Sequence, residues 1–178
     1  VAKTSKSASE FSKLMVDRKI SKSYWALVKT PPKNKIGILY NPSSDTFILK
    51  KDLIEKYHLD KEYINAKLFT LHTEDKETVS IYKEIKVQDN FTWLKLLAVT
   101  GRKHQLRKQL TSIGCSIIGD MKYGQTEKLL SYNIKDKLQL HAREIIFNNP
   151  ITGKLIKVKC SPPEHMKKLL DTNEIDKF

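Results

Sequence analysis

The sequence predicts an α+β fold, with a mixed but mainly antiparallel sheet and flanking helices. Segments rich in β-branched and aromatic residues occur in pairs around short turns, which is typical of antiparallel hairpins. Helical patterns are few and lie between or beyond these pairs. The 178 residues contain no internal repeat and no low-complexity linker, so we expect a single domain over 1–178.

A helix is predicted near each end of the chain. Residues 7–19 carry apolar side chains at helical spacing, and Ser7 or Ser9 is the candidate N-cap. Near the other end, a Pro-Pro pair opens a helix that ends at about Leu170. Residues 21–29 alternate polar and apolar side chains, which predicts the first strand.

Three hairpins are predicted along the middle of the chain. The first joins residues 35–40 to residues 46–50 across an Asn-Pro-Ser-Ser-Asp turn. Residues 51–78 are polar and mixed, so we interpret them as a partly helical variable insertion. The other two hairpins pair 79–87 with 91–99 and 138–147 with 154–160.

A further helix follows the second hairpin directly. It begins near Lys103 or His104 and runs to Ser112, and Gly114 ends it. Residues 116–124 are predicted to form a short strand and a turn.

The charge of the chain indicates a polyanionic partner. Thirty-three Lys and Arg against twenty Asp and Glu give a net charge of +13, which favours nucleic acid before a membrane. A generally lysine-rich surface is the alternative. Only four of these residues are arginines, the side chain suited to planar, bidentate contacts, and two of the four fall within residues 100–110.

That stretch, TGRKHQLRKQL, is the candidate site. Leu106 and Leu110 lie one helical turn apart and mark a buried face, and Arg107 lies at its edge. A half-buried guanidinium requires a partner, either a carboxylate in a cleft or an ordinary salt bridge to a neighbouring element. His104 and Lys108 lie nearer the solvent and could meet phosphates.

Other chemistries find little support. The histidines show no HxxxH spacing and no carboxylate cluster, so no metal site is predicted. No phosphate-binding glycine loop and no GxSxG motif occurs. His104 and His141 as the acid and base of a ribonuclease stay open as an alternative. Cys115 and Cys160 form no CxxC motif, which favours a reducing compartment.

The run TGRKHQLRKQLTSIGCSIIGDMKYG resembles the signature of the RluA-type pseudouridine synthases. That family shows TGR-x-HQ-[IL]-R, then a glycine, then GD-x-x-YG. The GD-x-KYG form and the His-Ala-Arg of residues 141–143 are similar to the branch acting on large-subunit ribosomal RNA. Lys108 and Gln109 depart from the apolar or His residues usual after the arginine.

The resemblance implies isomerisation of uridine to pseudouridine in RNA without metal or cofactor. It implies that Tyr24 stacks on the uracil and assists proton removal at C5, and that Leu106 packs on the other side of the base. Arg107 would pair with the catalytic aspartate. The implied substrate-binding residues also include Lys22, Arg102, Lys103 and His104.

The family's nucleophilic aspartate belongs to an HRLD-x-x-TSG motif that would lie upstream of Val1. Asp120, in the GD turn, is interpreted as structural. We therefore expect a domain lacking its N-terminal part and inactive alone, with an upstream fragment of the same enzyme as a partner. An inactive RNA-binding remnant or ribosome-assembly factor is the alternative. The expected location is the cytoplasm or the matrix of an organelle.

Overall fold

A computed structural model describes residues 2–43, 48–72, 76–124 and 137–170. Seven strands form one sheet in the order β3-β2-β4-β5-β1-β6-β7, and only the β2–β3 pairing is parallel. The strands are β1 Ile20–Val28, β2 Ile36–Asn41, β3 Lys67–Thr70, β4 Thr78–Gln88, β5 Phe91–Ala98, β6 Leu140–Asn148 and β7 Leu155–Lys159. The α-helices are α1 Ser5–Val16, α2 Lys50–Lys56, α3 Gln105–Ser112 and α4 Glu164–Lys167, and a 3-10 turn spans Lys61–Asn65.

The α+β prediction is confirmed, and so are two of the three hairpins. Strand β4 pairs with β5, and β6 pairs with β7, within a few residues of the predicted bounds. Strand β1 lies between β5 and β6, where Tyr24 faces Leu96 on one side and Ala142 on the other. Helix α3 also follows the prediction, and Gly114 follows it with a positive φ of 76°.

The predicted hairpin of residues 35–40 with 46–50 is wrong. Both edges of β2 are occupied by other strands, β3 in parallel and β4 in antiparallel orientation, so no edge remains for residues 46–50. Lys50 instead begins α2, while residues 46 and 47 lie outside the described residues. The assignment of 51–78 as a variable insertion stays a prediction, although buried Leu53 joins this segment to the core.

Two smaller corrections concern local structure. The N-cap of α1 is Thr4, whose hydroxyl accepts a 3.1 Å hydrogen bond from the Ser7 N–H, so neither serine caps the helix. Residues 116–124 form turns, and their strand character is limited to one bridge between Ile117 and Val28. The terminal helix begins after Pro163 as predicted.

Hydrophobic side chains pack on both faces of the sheet. Because successive strand residues point to opposite faces, Ala26 and Leu96 contribute to one cluster and Trp25 and Trp93 to another. Helix α3 covers the first face through Leu106 and Leu110, while Met166 at α4 packs on the second. A third cluster joins Leu53 of α2 to β2 and β4. In the described part of the chain, no helix is long and apolar enough to span a membrane.

Gly37 tests the packing of the face that α3 covers. It lies opposite Tyr82, and a Cβ atom there would lie 2.6 Å from the Tyr82 hydroxyl oxygen. We expect Gly37→Ala to lower the free energy of unfolding by about 1–3 kcal/mol, because the overlapping ring or backbone must move. Urea unfolding measures this loss. In a Tyr82→Leu background, Gly37→Ala should lower the free energy of unfolding by less. An equal loss in both backgrounds would contradict an overlap between the added Cβ and the Tyr82 ring.

Candidate functional site

The loop between β5 and α3 is held by a buried amide. Gln105 is 3% exposed, and its Nε2 donates to the Val79 carbonyl at 3.0 Å and to the Ser80 hydroxyl at 2.7 Å. Its Oε1 accepts from the Thr100 hydroxyl at 2.8 Å and from the Arg102 N–H at 3.0 Å. One side chain therefore fixes both ends of the loop against strand β4. Sequence reasoning missed this residue.

Lys22 approaches the same loop from strand β1. Its Nζ lies 2.8 Å from the position that a Cβ atom on Gly101 would take. The absence of a side chain at Gly101 therefore lets the ammonium group approach the loop backbone. Two substrate-binding predictions, Lys22 and Arg102, thus come from segments that meet at this loop.

Arg107 forms a bidentate ion pair with Asp120. Its Nε donates to Oδ2 at 2.8 Å and its Nη2 to Oδ1 at 2.5 Å, and the Asp120 side chain is 0% exposed. Asp120 Oδ1 also accepts from the N–H groups of Lys122 and Tyr123. The pair joins α3 to the 120–124 turn, a salt bridge to a neighbouring element. Pairing of Arg107 with an aspartate upstream of Val1 stays a prediction.

The environment of Asp120 favours its charged form. Burial alone would raise the pKa of the carboxyl group. The hydrogen bonds from Arg107 and from the backbone of Tyr123 and Lys122 outweigh burial and lower the pKa below its ordinary value. An aspartate so fully engaged has the structural role that the sequence predicted for it.

His104 and Tyr123 join the loop to the same turn. The His104 Nδ1 lies 3.0 Å from the Tyr123 hydroxyl, and the guanidinium of Arg107 lies 5.0 Å from the centre of the Tyr123 ring. Partial burial, followed by the charges of Arg107, Lys122, Lys103 and Lys108, lowers the pKa of His104. The imidazole is therefore biased towards its neutral form beside four cations.

The loop before α3, helix α3 itself and the 120–124 turn contribute side chains to a surface cleft of about 370 Å³, which we call the basic cleft. The described residues that line it include five Lys or Arg and no carboxylate. Such a lining attracts anions, phosphate groups above all. The lining residues are Lys76, Arg102, Lys103, His104, Lys108, Lys122 and Tyr123.

Tyr24 and Leu106 belong to one hydrophobic cluster beneath α3. Leu106 is 7% exposed in this cluster. The partly buried side chains of Tyr24, Leu138 and Leu140 each pack against the cluster. Burial raises the pKa of Tyr24, so its hydroxyl stays protonated at neutral pH. The structure thus gives Tyr24 an apolar setting on the face of the sheet that carries Arg107.

The two histidines of the alternative ribonuclease hypothesis have separate partners. His104 contacts Tyr123, whereas the Nε2 of His141 lies 3.0 Å from the carbonyl oxygen of Cys160, beside β7. Within the described ranges, no group of three or more His, Cys, Asp or Glu residues is arranged to hold a metal ion.

The chain belongs to the RNA pseudouridylate synthase family, whose model matches residues 1–112. Its similar proteins place it among the RluA-type members of that family. An uncharacterized RNA pseudouridine synthase of Haemophilus influenzae is 30% identical over 165 residues, covering 92% of this chain and 62% of that protein. The dual-specificity RNA pseudouridine synthase RluA of Vibrio cholerae is 36% identical over 77 residues, covering 43% of this chain and 30% of that protein.

A third relative is the ribosomal large subunit pseudouridine synthase C of Rickettsia prowazekii, 35% identical over 100 residues. That alignment covers 55% of this chain and 32% of the relative. The chain thus spans less than two thirds of the length of these three proteins.

Solved structures show the same fold. Human RNA pseudouridylate synthase domain containing 1 superposes with a TM-score of 0.63 at 16% identity, covering 99% of this chain and 72% of that one. Human RNA pseudouridylate synthase domain containing 4 superposes with a TM-score of 0.61 at 23% identity, covering 92% of this chain and 66% of that one.

Replacing Asp120 tests the ion pair. We expect Asp120→Asn to lower the free energy of unfolding by about 3 kcal/mol, because Arg107 loses its charged partner in a half-buried position. The lowered pKa means that the carboxylate stabilises the fold above about pH 4, and that this contribution is lost as the pH falls through the folded-state value. Urea unfolding should therefore show a smaller difference in unfolding free energy between the wild type and Asp120→Asn at about pH 3 than at about pH 7. A difference independent of pH would contradict the ion pair.

Titration of His104 tests the electrostatics of the basic cleft. We expect Lys122→Gln to raise the pKa of His104 towards its ordinary value, since it removes one of the nearby cations. Proton–nitrogen NMR of the imidazole across the pH range measures this value. Lys13→Gln, on exposed α1, is the matched control and should leave it unchanged. An equal pKa of His104 in both variants would mean that Lys122 does not act on the imidazole.

Proposed function

We propose that this chain forms the uracil-binding and RNA-binding part of an enzyme that isomerises uridine to pseudouridine in large-subunit ribosomal RNA. The observation that carries the proposal is that the TGRKHQLR run both lines the basic cleft and, through Leu106, joins the hydrophobic cluster against which Tyr24 packs. Family membership supports the reaction class. The ribosomal target is proposed because several relatives are named for the large subunit.

Tyr24 and Leu106 are proposed to hold the uracil between them. A base flipped out of a helix requires an apolar, aromatic surface to replace the stacking that it loses. Tyr24 has the half-buried ring for this contact, and Leu106 contributes to the same cluster. The Tyr24 hydroxyl is then proposed to assist removal of the proton at C5 by relaying it, because a protonated hydroxyl must release its own proton as it accepts another.

The loop before α3 is proposed to hold the RNA backbone beside the flipped nucleotide. Arg102 and Lys103 are exposed cations on the loop, and Lys22 approaches it from β1. His104 contributes a polar ring at the edge of the basic cleft. Contacts of this kind position the strand and carry no sequence information.

We propose that the nucleophile is an aspartate outside these 178 residues, on a segment carrying HRLD. The aspartate nearest to the site along the signature, Asp120, is buried, bound by Arg107 and engaged with two backbone N–H groups. To attack a sugar carbon, either oxygen of this buried carboxylate would have to give up at least its contact with Arg107. Arg107 would orient the incoming aspartate as well as Asp120, and the segment that carries it is the proposed protein partner.

The alternative function is RNA binding without catalysis, as a remnant or a ribosome-assembly factor. The basic cleft supports it equally, because holding a backbone requires no nucleophile. For either function we propose ribosomal RNA as the partner and the cytoplasm or an organelle matrix as the location. The ribonuclease alternative is the weaker one, because His104 and His141 have different partners.

Tritium release from C5-labelled uridine in ribosomal RNA tests the proposal. We expect none from the 178-residue chain alone, because loss of a nucleophile costs on the order of 10⁶ in rate. Addition of the upstream segment carrying HRLD should restore release, and Tyr24→Phe should then lower it. The matched control is the same segment with its aspartate changed to asparagine. Release by the chain alone would overturn the assignment of the nucleophile, and no release from the reconstituted pair would overturn the enzyme function in favour of RNA binding.

A further inference from the structure

The basic cleft is larger than the group of residues assigned to RNA above. Arg102, Lys103 and His104 contribute to it from the loop before α3. The remaining cations are lysines from three other segments: Lys76 precedes β4, Lys108 lies in α3, and Lys122 lies in the 120–124 turn. Lys108 is also a position where the sequence departs from the family's usual pattern, so part of this lining is particular to this chain.

The fold holds these cations together although they repel one another. Gln105 pins the loop to β4, and the Arg107–Asp120 pair pins the turn to α3. Tyr123 lies beneath both Arg107 and Lys122, with its ring centre 5.3 Å from the lysine ammonium. Cations from four segments meet at one cleft, and an anion bound inside it would reduce their mutual repulsion most directly.

The size and lining of the cleft indicate what the anion is. About 370 Å³ equals the space of roughly a dozen water molecules, enough for one backbone phosphate with its sugar inside the cleft and the phosphates on either side of it at the opening. The two aromatic rings among the described lining residues, His104 and Tyr123, pack against each other with their centres 5.6 Å apart, and Arg107 lies over the Tyr123 ring. The lining therefore suits a phosphodiester and offers little surface for stacking a base.

We propose that the basic cleft binds the phosphate backbone of a single RNA strand, independently of its bases, through Lys76, Lys108 and Lys122. These lysines extend the backbone contact beyond the loop of residues 101–104. The inference rests on the proposed function for its biological ligand. Its chemistry, recognition of consecutive phosphodiesters, does not depend on isomerisation of uridine.

Salt-dependent binding of an abasic phosphodiester oligomer tests the cleft separately from the enzyme function. The cleft variant is Lys76→Gln, Lys108→Gln, Lys122→Gln. The matched control is Lys13→Gln, Lys51→Gln, Lys61→Gln, three exposed lysines outside the cleft that change the net charge equally. The log–log salt slope of the cleft variant should fall by roughly 2, at about 0.7 for each lost phosphate contact. The control slope should stay close to that of the wild type.

A variant with two substitutions tests the same contacts in case the triple cleft variant does not fold. Lys76 and Lys122 are both exposed, so Lys76→Gln, Lys122→Gln should leave thermal unfolding unchanged and lower the slope by roughly 1.4. Equal slopes for the cleft and control variants would overturn the proposal. So would undetectable binding of the abasic oligomer by the wild type, or competition by inorganic phosphate as effective as by the oligomer.

The two proposals fail in different ways. If the abasic oligomer binds through the cleft lysines while the reconstituted protein releases no tritium, the cleft stands and the enzyme function fails. If tritium is released while the cleft and control variants share one slope, the enzyme function stands and the cleft assignment fails.

Discussion

The bidentate ion pair between Arg107 and Asp120 is the interaction on which the site depends. Asp120 is buried, so its charge is stable only while Arg107 and two backbone N–H groups are in place. The pair fixes the 120–124 turn to α3, and thereby places Tyr123 beneath the guanidinium and within reach of His104. The buried Asp120 carboxylate thus fixes the position of side chains that line the surface cleft.

Local patterns predicted the elements whose partners lie next to them in sequence. The hairpins β4–β5 and β6–β7 and the helix α3 are of this kind, because alternation and turn residues act over a few positions. The neighbours of β2 could not be predicted in this way. Its pairing with β3 and β4 joins distant segments, and residues 46–50 look strand-like although no edge of β2 is free for them.

In the candidate site, too, some features could be predicted from local sequence and others depend on distant segments. The need of Arg107 for a carboxylate follows from its place beside Leu106 on the helix, and the structure supplies Asp120. The buried roles of Gln105 and Gln109 could not be predicted, because an amide is equally typical of an exposed helix position. Lys76 was also missed, since nothing local connects the residue before β4 with a helix that begins far along the chain.

The lining of the basic cleft affects how fast a partner arrives as well as how tightly it is held. Positive charges gathered in a concave surface produce a field that reaches several ångströms into the solvent and guides a polyanion towards the opening. At physiological ionic strength that field fades over about 8 Å, so most of the guidance acts in the last steps of approach. The arrangement favours rapid, repeated encounters with an extended polyanion.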